Sequence, residues 1–231
     1  MLTDEMIAIL DRAQDSGWVL EPEAKRLLSL AGIDVPPFVW IHSEEQARET
    51  ADRLGFHLAA KVVSPEILHK SDAGGVAVGI GDTAELIDVI KRFRSLPGYA
   101  GLVVEPMVSG LELIVGGKVD YQFGPIVLLG IGGTSVEIYQ DSAVRMAPIA
   151  EDEVLSMVEG LTGSRLLQGY RGSRPVNMQR LTHLLVAFST ILTAMATRVE
   201  SIDLNPVICS EKECIVADAR IILAGTDVPP E

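Results

Sequence analysis

Apolar positions follow two distinct periods along the chain. Over residues 3–16, Met6, Ile9, Leu10 and Ala13 fall on one helical face and Gly17 closes the segment. A second helix is expected at 22–31, with Pro22 in its first turn, Ala24, Leu27, Leu28 and Ala31 as the apolar stripe, and Gly32 at its end. "FVWI" (38–41) reads as a short strand, and Ser43 with Gln46 forms a capping box that opens a helix stopped by Gly55. "HLAAKVV" (57–63) and "VAVGI" (76–80) read as strands. Asp82 and Glu85 then start a helix carrying Leu86, Val89, Ile90 and Phe93.

From residue 101 the period shortens. "GLVVEPM", "LELIVGG", "PIVLLG", "SVEIYQ" and "AVRMAP" are five β runs punctuated by glycine, proline and aspartate. Helices are expected near 151–168 and 177–197. The second has Leu181, Leu184, Leu185, Phe188, Ile191, Leu192 and Met195 at core spacing, which favours packing over ligand contact. "SIDLNPVIC" and "CIVADARII" close the chain as two strands around "SEKE". No long linker or repeat interrupts this order. The pattern predicts two α+β lobes with largely antiparallel sheets, 1–101 and 102–231, and a ligand cleft between them.

Composition narrows the partners. The chain has 231 residues, 48% hydrophobic and 22% charged, with a net charge of −13. Such a field repels nucleic acid and anionic membrane. No apolar run reaches the ~20 residues a membrane span needs, and the N-terminus lacks a secretion signal, so a cytoplasmic protein is expected. Cys209 and Cys214 offer a disulfide, half a metal site, or two reduced thiols, the last being usual for a cytosolic chain. A phosphate ligand on so acidic a protein needs local cations, backbone N–H groups or a divalent metal. Two of only six lysines, Lys61 and Lys70, lie within ten positions of each other.

Between them runs "ILHKSDAGGV" (67–76), which places His69 and Lys70 just before Gly74 and Gly75. A titratable ring thus stands on a segment whose glycines supply backbone freedom and permit close approach of a ligand. The plain alternative is a surface histidine without a role. Lys61 interrupts an apolar strand, so it needs an anionic partner, either a structural carboxylate or a nucleotide phosphate. Glu105 interrupts "GLVVEPM" in the same manner, and Glu112 lies in "GLELIVG". A strand end here, with Met107, can present backbone groups to an adenine ring, and a nearby carboxylate can accept from ribose. Ordinary solvated strand ends are the alternative. Arg145 is a further cation for a terminal phosphate. Gly130, Gly132 and Gly133 lack the lysine and following helix of a phosphate loop, so they read as turn glycines.

The final hairpin carries a geometric argument. Asp203 and Asn205 share a strand face. With "SEKE" (210–213) as the loop, opposed residue numbers sum to 423, so Asn205 faces Asp218 with Cβ atoms roughly 5 Å apart. Two carboxylates and an amide suit Mg²⁺ completed by water and phosphate. A polar, solvated hairpin face is the alternative. Ile202, Leu204, Val207, Ile215, Val216 and Ile221 make the surroundings apolar, which favours ligation.

Taken together, "AAKVVSPEILHKSDAGGVAVGI", "LVVEPMVSGLELIVGG", "FGPIVLLGIGG", "GYRGSRP" and "IDLNPV…IVADARIIL" resemble the β subunit of ADP-forming acetyl-CoA (acyl-CoA) synthetases, relatives of the succinyl-CoA synthetase β subunit. The resemblance spans nearly the whole chain. It implies an ATP-grasp fold, ATP/ADP and Mg²⁺ as cofactors, and a separate Rossmann-like CoA-binding α subunit. The complex would interconvert acyl-CoA, ADP and phosphate with acid, CoA and ATP. It further implies that His69 carries the phosphoryl group, that Lys61 meets nucleotide phosphate, that Glu105 and Glu112 lie by the adenosine, and that Asp203, Asn205 and Asp218 hold the metal. A neutral imidazole nitrogen would accept the phosphoryl group at neutral pH and give a reactive N–P bond. Gly74 and Gly75 would let this carrier move and phosphate come close, and Lys70 would screen its charge. Thr134 and Ser135 depart from the bulkier apolar residues of the relatives. Another ATP-grasp carboxylate ligase would need no phosphohistidine, and a nucleotide-sensing module could dispense with the metal residues.

Overall fold

The structure is a computed structural model describing residues 1–133 and 141–226. The expected strand at 135–140, with Thr134 and Ser135, lies outside the described residues. The chain divides into a smaller unit, Leu20–Pro22 with Pro36–Val108, and a larger one, Met1–Val19, Glu23–Val35 and Ser109 onward.

In the smaller unit, β2 (Val39–Ile41), β3 (Leu58–Val62), β4 (Val76–Ile80) and β5 (Leu102–Pro106) form an antiparallel sheet in the order β2-β5-β3-β4. Helices α3 (Glu44–Leu54) and α4 (Thr83–Phe93) supply Ala47, Leu86, Ile90 and Phe93 to a core with Leu58, Ala60, Val62, Leu102 and Val104. Both helix starts follow the caps read from sequence. Ser43 Oγ accepts from Gln46 N–H at 3.2 Å and Asp82 Oδ1 accepts from Glu85 N–H at 2.9 Å. The reciprocal bonds reach one residue further back than expected, from His42 N–H to Gln46 Oε1 and from Gly81 N–H to Glu85 Oε2.

Among the described residues the larger unit holds a seven-stranded antiparallel sheet. Its main path is β1 (Trp18–Val19), β11 (Ala219–Leu223), β9 (Val199–Cys209), β6 (Leu111–Asp120), β7 (Gly124–Ile131) and β8 (Ser142–Met146), with β10 (Cys214–Val216) on β9. Two leading helices, α1 (Asp4–Arg12) and α2 (Glu21–Leu30), share its core with α5 (Glu151–Gly160), α6 (Ser164–Leu167) and α7 (Met178–Met195). Every apolar residue that the pattern placed on the 177–197 stripe is buried.

The division differs from the expected break at 101/102 in two respects. Strand β5 pairs with β2 and β3, so the smaller unit runs to Val108. The leading helices belong to the larger unit. Their stripes (Met6, Ile9, Leu10, Ala24, Leu27, Leu28) enter its core, and Trp18 and Val19 pair with Ile222 and Ile221 at the far end of the chain. The two-residue strand β1 is too short to show a period, which is why the pattern missed it.

Candidate active site

In the smaller unit the helices cover one face of the sheet, and the other presents Ala59, Lys61, Val103 and Glu105. Alternation puts Lys61 on the face opposite Ala60 and Val62, and the β3–β5 register sets Ala59 against Glu105 and Lys61 against Val103. Lys61 and Glu105 are thus diagonal neighbours. Lys61 Nζ lies 2.9 Å from Glu105 Oε1 and 3.2 Å from Glu21 Oε1. Glu21 Oε2 lies 2.7 Å from Lys70 Nζ. The result is a row of four charges, Glu105–Lys61–Glu21–Lys70. Glu21, Lys61 and Glu105 retain only 3%, 7% and 2% of their surface in solvent. Charges so buried persist because each is matched by an opposite one at hydrogen-bond distance.

Lys70 lies within the segment joining β3 to β4. His69, beside it, is exposed. The segment is fastened at both ends. Ile67 enters the core, and Ser64 Oγ donates to Pro97 O at 2.7 Å. At the other end Gly75 N–H donates to Lys70 O at 2.7 Å and Gly75 O accepts from Val62 N–H at 2.8 Å. Gly74 has φ +65°, a left-handed conformation that disfavours a side chain, and a Cβ on Gly75 would lie 2.4 Å from Val62 Cγ1. These glycines close a tight turn beside Val62. Met107, after β5, is exposed, and its sulfur accepts from Gly79 N–H at 3.0 Å beside the exposed Val78.

In the larger unit the expected hairpin register holds. Cys214 pairs with Cys209 and Arg220 with Asp203, each pair summing to 423, and Asn205 N–H donates to Asp218 O at 3.2 Å. The return strand is broken at Ala217–Asp218, between β10 and β11. Asp203 and Asp218 are half-buried and Asn205 is exposed, while Ile202 and Leu204 point into the core. The trio therefore occupies an accessible sheet face, and burial does not force a ligand upon it. Its electrostatics include an unexpected cation, since Arg220 Nη2 lies 3.5 Å from Asp203 Oδ2. Asp218 Oδ1 also accepts from Ala219 N–H at 2.9 Å. Two carboxylates and an amide on one wet face fit a hard divalent cation that shares its shell with phosphate. Among the described residues no cluster of three or more His, Cys, Asp or Glu is placed to hold a metal unaided.

Glu112 is exposed on this same face, and a Cβ at Gly133 would lie 3.5 Å from its carboxylate. Its backbone oxygen accepts from Gly132 N–H at 2.7 Å.

The ATP-grasp domain profile matches residues 11–223. The chain belongs to the ATP-grasp family. This ATP-grasp chain is 36% identical over 213 residues to the β subunit of acetate–CoA ligase [ADP-forming] I of Pyrococcus furiosus, covering 89% of this chain and 91% of that subunit. It spans about a third of the length of other ADP-forming CoA ligases it also matches. Among solved structures it is similar to Ca. Korarchaeum cryptofilum dinucleotide forming acetyl-coenzyme A synthetase 1. The complex of that protein with coenzyme A and Mg-AMPPCP has its phosphohistidine segment pointing towards the nucleotide binding site, at TM-score 0.83 and 34% identity, covering 94% and 99% of the two chains. A second complex, with coenzyme A and acetyl-coenzyme A, has the segment phosphorylated in the site I orientation, again at 0.83, 34%, 94% and 99%.

The structure places three of the expected site residues in local contacts. Glu105, expected beside adenosine, has its carboxylate buried against Lys61, because the strand register makes them diagonal neighbours. Lys61 forms ion pairs with two carboxylates. Arg145 was expected at a terminal phosphate. It pairs with Val127, a core residue, and so faces the helices, with Nη2 donating to Ser156 Oγ at 2.9 Å. The polar hairpin trio lies on the opposite face. Two site residues went unread, Glu21 and Arg220. A glutamate before Pro22 looks like an ordinary helix start. Arg220, in contrast, follows from the same sum of 423 that placed Asn205 against Asp218.

Proposed function

We infer that this chain is the nucleotide-binding β subunit of an ADP-forming acyl-CoA ligase and that His69 carries the phosphoryl group. The observation that supports this most directly is the exposed imidazole on a segment whose next residue is tied to the Lys61 cluster, in a chain 36% identical to such a subunit over nearly its full length. The reaction written toward ATP has two balanced transfers. The phosphoryl group leaves a donor histidine on the partner subunit, that N–P bond breaking as one forms to His69. A terminal oxygen of ADP then attacks phosphorus, the His69 N–P bond breaks and a P–O bond forms. Phosphoryl transfer of this kind depends on placement and charge neutralisation.

Asp203, Asn205 and Asp218 would hold Mg²⁺, which when bound draws charge from the nucleotide's phosphate oxygens. Glu112 and the glycines beside it line the same face as those three residues and are assigned to the nucleotide. Met107 and Val78 present an apolar surface suited to a base. Lys61 holds Glu105 and Glu21 in place, and Lys70 supplies a positive charge next to His69. A CoA-binding, Rossmann-like partner subunit would supply the acyl-CoA chemistry. Among the described residues no helix is long and apolar enough to cross a membrane, and we place the complex in the cytoplasm.

The test is incubation of the complex with Mg²⁺ and ATP labelled in its terminal phosphate. An acid-labile, base-stable label on His69 is expected, absent from His69→Ala. An unlabelled wild-type complex, or equal label on His69→Ala, would overturn the assignment.

A further inference from the structure

Glu21 is far from His69 in sequence, yet it holds the residue next to it. One carboxylate oxygen takes Lys70 at 2.7 Å and the other takes Lys61 at 3.2 Å. Lys61 sits on β3, within the sheet, so the Glu21–Lys61 pair is a fixed base and Lys70 is the part that can leave. Ile67 and Gly75 fasten the segment toward its ends. The Lys70–Glu21 pair fastens it at the residue next to His69.

The charges explain why such an anchor would be responsive. Glu105, Lys61, Glu21 and Lys70 together carry two positive and two negative charges. When Lys70 departs, Glu21 loses an ammonium held at 2.7 Å, at a position nearly closed to water. That loss is costly, so the pair favours the docked segment. A phosphoryl group on His69 would bring up to two negative charges beside Lys70 and compete with Glu21 for it.

We propose that Glu21 is a positioning residue that latches the His69 segment through Lys70, and that phosphorylation of His69 weakens the latch. The inference rests on the phosphohistidine reading above, and it is consistent with the two segment orientations recorded for the Korarchaeum relative. Glu21 does not touch the reacting atoms. It sets how often the segment occupies its docked position.

The experiment compares wild type, Glu21→Gln and Lys70→Met in the intact complex by hydrogen exchange at Ala73, Gly74 and Gly75, and by the rate of label transfer from terminally labelled ATP to His69. Exchange at these three amides is expected to rise roughly tenfold or more in both variants, as loss of a charged hydrogen bond implies, with exchange at Val104 and Ile90 unchanged. Label transfer slows by a similar factor. In wild type, phosphorylation alone raises exchange at the same amides. The double variant adds little to either single one, because both remove the same pair. A merely structural role would raise exchange throughout the sheet. If Glu21→Gln fails to fold, Lys70→Met, altered in a surface segment, decides alone. Wild-type labelling with unchanged exchange and transfer in the variants would sink the latch. Absence of label in wild type would sink the phosphohistidine reading instead.

Discussion

Arg220 faces Asp203 across the β9–β11 pair, its Nη2 3.5 Å from Asp203 Oδ2. A guanidinium beside a candidate Mg²⁺ ligand occupies the charge that the metal would otherwise meet. Arg220→Ala should therefore bind Mg²⁺ alone roughly fivefold more tightly, by the Coulomb attraction lost or gained at this range in water. It should lose about 1 kcal/mol of stability or less, because Asp203 is a third exposed. Calorimetric titration with MgCl₂ and a urea melt measure both. Weaker Mg²⁺ binding would mean that the arginine supports the ligands rather than competing with metal.

Asp218 tests the hairpin from the other side. Asp218→Ala should weaken MgADP binding by at least about tenfold, the loss of one anionic ligand from a site that has few. Binding of ADP in EDTA should stay unchanged, as should the melting temperature, since the side chain is half-buried on an accessible face. Equal MgADP affinity in the variant would place the metal elsewhere.

The two segment glycines make separable predictions. Gly74→Ala meets nothing within 4 Å but must hold φ +65°, at a cost of about 1–2 kcal/mol. Gly75→Ala would drive a methyl group to 2.4 Å from Val62 Cγ1 and 3.2 Å from Lys70 O, an overpacking that costs about 1–3 kcal/mol and displaces the turn. Both losses are read from denaturant midpoints. Only Gly75→Ala is expected to raise hydrogen exchange at Val62, whose N–H is bonded to Gly75 O.

Breaking the buried row should be far worse than erasing it. Lys61→Met leaves Glu105 without its ammonium at 2% exposure and should cost about 3–5 kcal/mol. Adding Glu105→Leu removes the stranded charge and should restore part of that loss. Chemical denaturation of the two variants gives the comparison. A double variant no more stable than the single one would show that Glu105 is stabilised by other neighbours.

Cys209 and Cys214 are directly opposed, buried and unbridged. The shared thiol hydrogen bond, with burial adding to it, pushes the Cys209 thiol far above its ordinary value of 9.0. A raised folded-state pKa means that stability is intact below the unfolded value and declines as pH climbs past it, because only the unfolded chain releases the proton. Above pH 9.0 wild type should lose about 1.4 kcal/mol more per pH unit than Cys209→Ala. Melts between pH 8 and 10.5 check this. Native thiols should also resist an aromatic disulfide reagent until denaturant is added.

Much of this protein was legible in its sequence because the determining physics is local or periodic. Helical stripes in α4 and α7, the caps at Ser43 and Asp82, and the hairpin register that sets Cys209 against Cys214 all follow from neighbours a few positions apart. The motif around His69 and the β-subunit resemblance were legible for the same reason. What tertiary structure alone decided is which distant residues share a surface. Trp18 joins Ile222, Glu21 joins Lys61 and Lys70, and Arg145 turns toward Ser156. Charge makes the difference sharpest. A lysine or glutamate inside an apolar strand announces only that it needs a partner, since Coulomb attraction and desolvation depend on distance and burial rather than on order along the chain.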